Sequence, residues 1–279
     1  MSCPDPALAG GERSHLDPGT LEAAAASSRD AFYGGRFMLC QPRGRGFRSG
    51  LDALLLAACL PADASGDAVD LGSGAGAVGF AAACRCPALR LTLVEVDPGM
   101  AGLCRQGLDL PDNAGFADRL RMVEADATAP RAIREAAGLH DGAFGTVLSN
   151  PPFNPQHHRR SADHLRARAL SVADPAFLPR WIAVAAALLK PGGTLAMVLR
   201  PENLPAVLGS AGNRLGDLRI VPVQARSGEA AMRILLRAVR GSRAPLSIRP
   251  SIVLHEADGS PSETGIAIAA GAMTVDFGT

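Results

Sequence analysis

The stretch Ala68-Val69-Asp70-Leu71-Gly72-Ser73-Gly74-Ala75-Gly76 constrains the fold more than any other part of the chain. A short apolar run enters alternating glycines, and an alanine-rich run, Ala77-Val78-Gly79-Phe80-Ala81-Ala82-Ala83, leaves them. Strand, glycine turn and helix in that order open a parallel α/β sheet. Glycine lets the backbone turn tightly at the strand end and lets a ligand come close to it. The spacing is Gly-x-Gly-x-Gly and not the full dinucleotide fingerprint, so a pyrophosphate is not specifically indicated. Similar punctuation recurs downstream. Leu91-Thr92-Leu93-Val94 ends at Glu95-Val96-Asp97, Leu120-Arg121-Met122-Val123-Glu124 leads to Ala125-Asp126-Ala127, and Phe144-Gly145-Thr146-Val147-Leu148-Ser149 runs into Asn150-Pro151-Pro152-Phe153. Two successive prolines donate no backbone hydrogen bonds and cannot continue a sheet, so that last strand stops at Asn150.

In open α/β sheets ligands bind at the C-terminal strand ends, and each of these runs carries chemistry there. Asp70, Gly72, Ser73, Gly74 and Gly76 form the candidate cofactor loop. Glu95, directly after its apolar run, suits both hydroxyls of a ribose. Asp97 is a further cofactor candidate, but it precedes Pro98 and also suits a helix cap. Asp126, with Ala127, is placed to accept from an adenine amine or to stand as a solvated loop residue. At Asn150-Pro151-Pro152-Phe153, an amide oxygen and a proline carbonyl can hold the two hydrogens of a planar amine. The Phe153 ring can stack on the flat system bearing it. The bland alternative is a loop start with a core phenylalanine. The ordered recurrence of polar groups at four strand ends favours a nucleoside-cofactor site.

Charge is unevenly spread. Residues 1–150 hold 13 Lys and Arg against 18 Asp and Glu, whereas residues 151–250 hold 15 against 5. The basic section begins at His157, His158, Arg159, Arg160, His164, Arg166 and Arg168 and is expected to continue through Arg226, Arg233, Arg237, Arg240 and Arg243. A positive stripe beside an amine-binding pocket fits a polyanion such as RNA. The bland alternative is solvated surface, since Lys190 is the only lysine and arginine is used throughout. The His157-His158 pair has no matching cluster at ligand spacing, so no metal site is expected. A hydrolase triad lacks its Gly-x-Ser-x-Gly turn. The six cysteines make no Cys-x-x-Cys pair and read as reduced thiols. No apolar run approaches the ~18 residues of a membrane span. The N-terminus has neither a basic start nor an apolar core. A cytoplasmic protein is expected.

These features resemble a known family. Asn150-Pro151-Pro152-Phe153 after a fourth core strand is similar to the signature of the amino-methylating branch of class I S-adenosylmethionine-dependent methyltransferases. Within that branch the chain most resembles bacterial enzymes that methylate adenine N6 in a valine tRNA beside the anticodon. The resemblance spans residues 34–260 and includes Phe37-Met38-Leu39-Cys40-Gln41-Pro42-Arg43 and Ser49-Gly50-Leu51-Asp52-Ala53-Leu54-Leu55. Leu51 stands where those enzymes usually carry threonine, and Arg166-Ala167-Arg168 matches their arginine-bearing segment. The resemblance implies S-adenosylmethionine as cofactor, with Asn150, Pro151, Pro152 and Phe153 at the catalytic tip. It implies a tRNA partner held through Arg159, Arg160, Arg166 and Arg168. Related enzymes with this signature methylate guanine in ribosomal RNA, adenine in DNA or a protein glutamine.

The expected architecture is a Rossmann-like, seven-stranded, mostly parallel sheet with a terminal antiparallel hairpin and helices on both faces. Residues 1–33 are expected to be a loose extension and 34–260 the methyltransferase domain. Within the latter, 34–60 hold a hairpin (36–41 with 46–49) and a helix (52–59), and 61–260 hold the core and C-terminal strands. Lys190-Pro191-Gly192-Gly193 reads as a helix stop and turn, 218–224 and 232–239 as the hairpin. Residues 261–279 are expected to be a tail, loose from 271 on.

Overall fold

Parallel strands joined by helices bury both sheet faces, and the alternation of side chains shows which residue faces which layer. In a computed structural model, which describes residues 27–43, 50–151 and 174–278, the core strands are β3 (Ser65–Leu71), β4 (Ala88–Glu95), β5 (Leu120–Glu124), β6 (Phe144–Ser149), β7 (Leu189–Leu199), β8 (Leu215–Arg226) and β9 (Ala231–Arg240). Their order across the sheet is β5-β4-β3-β6-β7-β9-β8. β9 runs antiparallel to both neighbours, and the other pairings are parallel. Two short strands, β10 (Ser247–Ile248) and β11 (Ile252–His255), add to β8 in parallel and bring the sheet to nine strands. The seven-stranded core and hairpin match the sequence expectation.

Two apolar layers follow from the period-two pattern. Ala68, Leu91, Leu93, Leu148 and Val198 point to one. Val69, Leu71, Val94, Val147 and Met197 point to the other. The first layer is covered by α1 (Leu51–Ala58) and α2 (Ala77–Arg85), with α3 (Pro98–Leu108) and the single turn α4 (Ala114–Ala117) beside them. The second is covered by α6 (Phe177–Leu188) and α7 (Leu204–Ala211). Between β5 and β6 lies the short helix α5 (Arg131–Ala136). Lys190-Pro191-Gly192-Gly193 does turn, but inside β7. The register jumps from Phe144–Leu189 to Thr146–Thr194, so the extra residues loop out of the ladder as a bulge.

Two expectations need correction. Residues 27–33 are not loose: β1 (Ser27–Phe32) pairs antiparallel with β2 (Phe37–Pro42) through the tight turn Tyr33-Gly34-Gly35. Gly34 and Gly35 have φ of 66° and 92°, which glycine adopts without strain. The fully buried Phe37 ring anchors this ribbon, stacking on Phe32 and meeting Phe80 edge-on. The expected partner strand 46–49 lies outside the described residues. The 261–278 tail is not loose either. Ser262 caps α8 (Glu263–Ala269) by accepting from Gly265 N–H. Val275 and Phe277 are buried in the first layer, and the Val275 N–H donates to the Ala58 carbonyl. Arg85 ties the segment down further by donating to the Gly271 carbonyl and to Thr274 Oγ1.

Candidate functional site

Strand register gathers the predicted groups. Leu71, the last residue of β3, lies opposite Val94 of β4 and Ser149 of β6, and Glu95 lies opposite Glu124. The 72–76 loop, Glu95 and Asn150 therefore leave adjacent strands at the same sheet edge, with Asp126 just beyond β5. Asn150 is half-buried and Pro151 buried. Pro152, Phe153, Arg159, Arg160, Arg166, Arg168 and the three nearby histidines lie outside the described residues.

The glycine loop turns as its sequence requires. Gly72, Gly74 and Gly76 have φ of 72°, 56° and 94°. The Gly72 and Ser73 N–H groups both donate to the Val94 carbonyl at 2.9 Å, pinning the loop to β4. A Cβ at Gly76 would come within 2.8 Å of Cys104 Sγ, so the loop and α2 need glycine there for close packing as well as for backbone conformation. Glu95 holds the loop from the other side. Its Oε2 accepts from Gly74 N–H at 2.9 Å, and its Oε1 accepts from the Val96 and Asp97 N–H groups. Asp97 caps α3 by accepting from Met100 N–H. Exposed Asp126 accepts from the Thr128 N–H and hydroxyl, forming its own turn, and Ala127 is buried.

Asp70 lies beneath this loop with 1% of its surface exposed. Neither carboxyl oxygen has a partner of ordinary hydrogen-bond geometry, and neither does the buried Ser73 hydroxyl. Burial pushes the Asp70 carboxyl up to about 7, the Gly79 N–H opposes the rise and the Glu95 charge adds to it. A cation beside the loop offsets the cost of ionising such a group. The ammonium and sulfonium of S-adenosylmethionine bring that charge, and the Ser73 hydroxyl remains free to bond a ligand. The residues present thus fit this cofactor. Among the described residues no three His, Cys, Asp or Glu side chains group as metal ligands.

Two features were not legible as site elements. Ser149 and Trp181 form a buried hydrogen bond directly behind Asn150. Asp52, at the start of the expected helix, forms an ion pair with Arg233 at 2.9 Å that ties α1 to β9. The second changes the electrostatic picture. Because β9 is antiparallel to β7, only its start reaches the cofactor edge, and Arg237 and Arg240 lie toward the opposite edge. Arg237 pairs with Asp217, Arg226 with Glu229, and Arg240 donates to the Ala187 and Leu189 carbonyls. Of the expected stripe, Arg237 and Arg240 are therefore taken up away from the cofactor edge, whereas Arg226 and Arg233, each paired with an acid, stand near it.

An open α/β sheet of this strand order, with a glycine loop, an acidic strand end and Asn150-Pro151 at one edge, is the architecture of the class I methyltransferases, whose cofactor is S-adenosylmethionine. The chain belongs to the methyltransferase small domain family, which matches residues 49–208. It is similar to a tRNA1(Val) (adenine(37)-N6)-methyltransferase of Aeromonas hydrophila, with 30% identity over 77% of this chain and 85% of that one. A release factor glutamine methyltransferase of Chlorobaculum tepidum is 30% identical over 55% of this chain and 52% of its own length, and another curated relative is matched over 43% of its length, so the chain spans about half of these two proteins. Among solved structures, a predicted O-methyltransferase of Agrobacterium tumefaciens, Atu636, superposes with a TM-score of 0.70 at 33% identity, covering 80% of this chain and 98% of that one. Among the described residues no helix is long and apolar enough to cross a membrane.

Proposed function

We propose that this protein transfers a methyl group from S-adenosylmethionine to an exocyclic amino nitrogen of a base in RNA, and that the base is an adenine of a tRNA, methylated at N6. The observation that carries the reading is the half-buried Asn150 followed by the Pro151 carbonyl, one strand away from the 72–76 loop. The bound cofactor supplies a methyl group already activated on a sulfonium, so the protein's task is orientation. Asp70, Ser73, the loop N–H groups and Glu95 hold the cofactor, Glu95 through the ribose hydroxyls, with Asp97, Asp126 and Ala127 lining the nucleoside end. The Asn150 amide oxygen and the Pro151 carbonyl accept the two hydrogens of the amine. That grip draws the nitrogen out of conjugation and aims its lone pair at the methyl group. As the N–C bond forms, the S–C bond breaks to leave the neutral thioether, and the methylated nitrogen, now strongly acidic, gives up one proton to water. Pro152 keeps the tip from joining the sheet, and Phe153 stacks on the base. The base must be splayed out of its RNA to reach the tip. Arg159, Arg160, Arg166 and Arg168 bind phosphates. A cytoplasmic location goes with a tRNA substrate.

The tRNA-modifying relative supports the RNA reading because its match covers most of both chains. A second reading has its own support. The same two acceptors suit the primary amide of a protein glutamine, and the Chlorobaculum relative acts on one. Product analysis separates them. The protein is incubated with labelled S-adenosylmethionine, total RNA and protein extract, and the products are digested. Label in N6-methyladenosine from the tRNA fraction is the expected result. Label confined to protein, or to a nucleoside methylated elsewhere, contradicts the proposal.

A further inference from the structure

The ends of β3 and β6 are joined by a short buried chain of hydrogen bonds. Trp181 Nε1–H donates to Ser149 Oγ at 2.9 Å, and the Ser149 hydroxyl donates to the Leu71 carbonyl at 3.1 Å. Ser149 is fully buried and Trp181 nearly so. Leu71 and Ser149 are register partners on adjacent strands, and each is the last residue before a segment that carries chemistry. The cofactor loop starts at Gly72 and the amine-holding tip at Asn150. The same indole also lies close to the start of the loop. A Cβ at Gly72 would stand 3.4 Å from Trp181 Cη2 and Cζ2, ordinary van der Waals contact. Phe177 packs against the ring with centroids 5.3 Å apart, fixing its place on α6.

We propose that Trp181 and Ser149 are positioning residues for methyl transfer, their hydrogen-bonded chain setting the spacing between the cofactor loop and Asn150. The catalytic part of this inference rests on the assignment of methyl transfer to the Asn150 tip. The chain itself does not. The β3–β6 ladder ends at Leu71 and Ser149, and the loop beyond is held by backbone bonds to β4 rather than to β6. The indole lies where a side chain at the first loop residue would meet it, while its N–H holds the residue before the tip. A change of one ångström between reacting groups costs on the order of 100-fold in rate, so a brace at this point acts on turnover.

Trp181→Phe keeps an aromatic ring against Gly72 and removes the donor. Ser149→Ala removes the hydroxyl in the middle of the chain. The two singles and the double variant are compared in the full-length protein by amide hydrogen exchange and by methyl transfer to total tRNA. Exchange should quicken about tenfold, the size expected for a lost buried hydrogen bond, in peptides covering both 68–80 and 144–151. The turnover number should fall about tenfold or more, with S-adenosylmethionine affinity held within about threefold. The double variant should be no worse than the more impaired single, because both remove one connection. Exchange that stays at wild-type rates in either peptide overturns the brace. So do additive losses, and so does wild-type turnover in both singles. Wild-type protein that methylates no RNA sinks the functional assignment instead, and the exchange data then decide the brace by themselves.

Discussion

Asp70 is the residue on which the electrostatics of the proposed cofactor site turn. Its carboxyl is lifted from an ordinary 3.8 to about 7, chiefly by burial. The folded state therefore holds this proton more tightly than the unfolded chain does. The stability that the protonated group contributes is complete below about pH 4 and is lost as the pH rises through about 7. Urea midpoints of the cofactor-free protein should fall across that window, and Asp70→Asn should flatten the fall. Equal slopes in the two proteins would contradict the assignment. At this scale much was legible in the sequence. Glycine φ values, the strand-end positions of Glu95 and Asn150, and the capping alternative for Asp97 all followed from residue type and neighbours. The part played by Trp181 was not legible. Its role depends on an indole N–H meeting a serine on a strand 32 positions away in sequence, and local pattern carries no signal for that.

Among the elements, the packing of α2 on β4 positions the cofactor loop. Gly79 sits where a Cβ would come within 2.2 Å of Leu93 Cδ2, so the Leu93 side chain fills the space that a side chain on the helix would need. Gly79→Val should cost about 1–3 kcal/mol through overpacking, read as a lower thermal midpoint. Leu93→Ala in the same background should recover part of it, because the two side chains compete for one space. An unchanged midpoint for Gly79→Val would mean that the helix slides away freely. The strands of the core were legible because apolar runs end at glycine, proline or acid. β1 was not, since Ser27-Ser28-Arg29-Asp30-Ala31-Phe32 lacks an alternating apolar face and leans on β2 for its place. The tail was missed because its burial rests on three isolated apolar side chains, Ile268, Val275 and Phe277, which make no periodic pattern.

For the whole molecule, the distribution of charge decides how a polyanion is met. Most arginines of β8 and β9 are taken up by Asp52, Asp217, Glu229 and backbone carbonyls. The proposed RNA contact rests on Arg159, Arg160, Arg166 and Arg168. Binding of tRNA should weaken steeply with salt, and replacing Arg159 and Arg160 together should reduce the slope of log affinity against log salt by about 2. A wild-type slope near zero would remove these residues from the interface. The charge asymmetry was plain in the sequence, but which arginines stay free was not, because ion pairs form between distant segments such as Asp52 and Arg233. The central claim is that the Asn150 tip holds the amine for methyl transfer, and single-turnover transfer to tRNA by Asn150→Ala tests it most directly. The variant should bind S-adenosylmethionine and tRNA as the wild type does, and transfer should be slower by about 100-fold or more. Transfer at the wild-type rate would contradict the claim and leave Asn150-Pro151-Pro152-Phe153 as no more than the end of a strand.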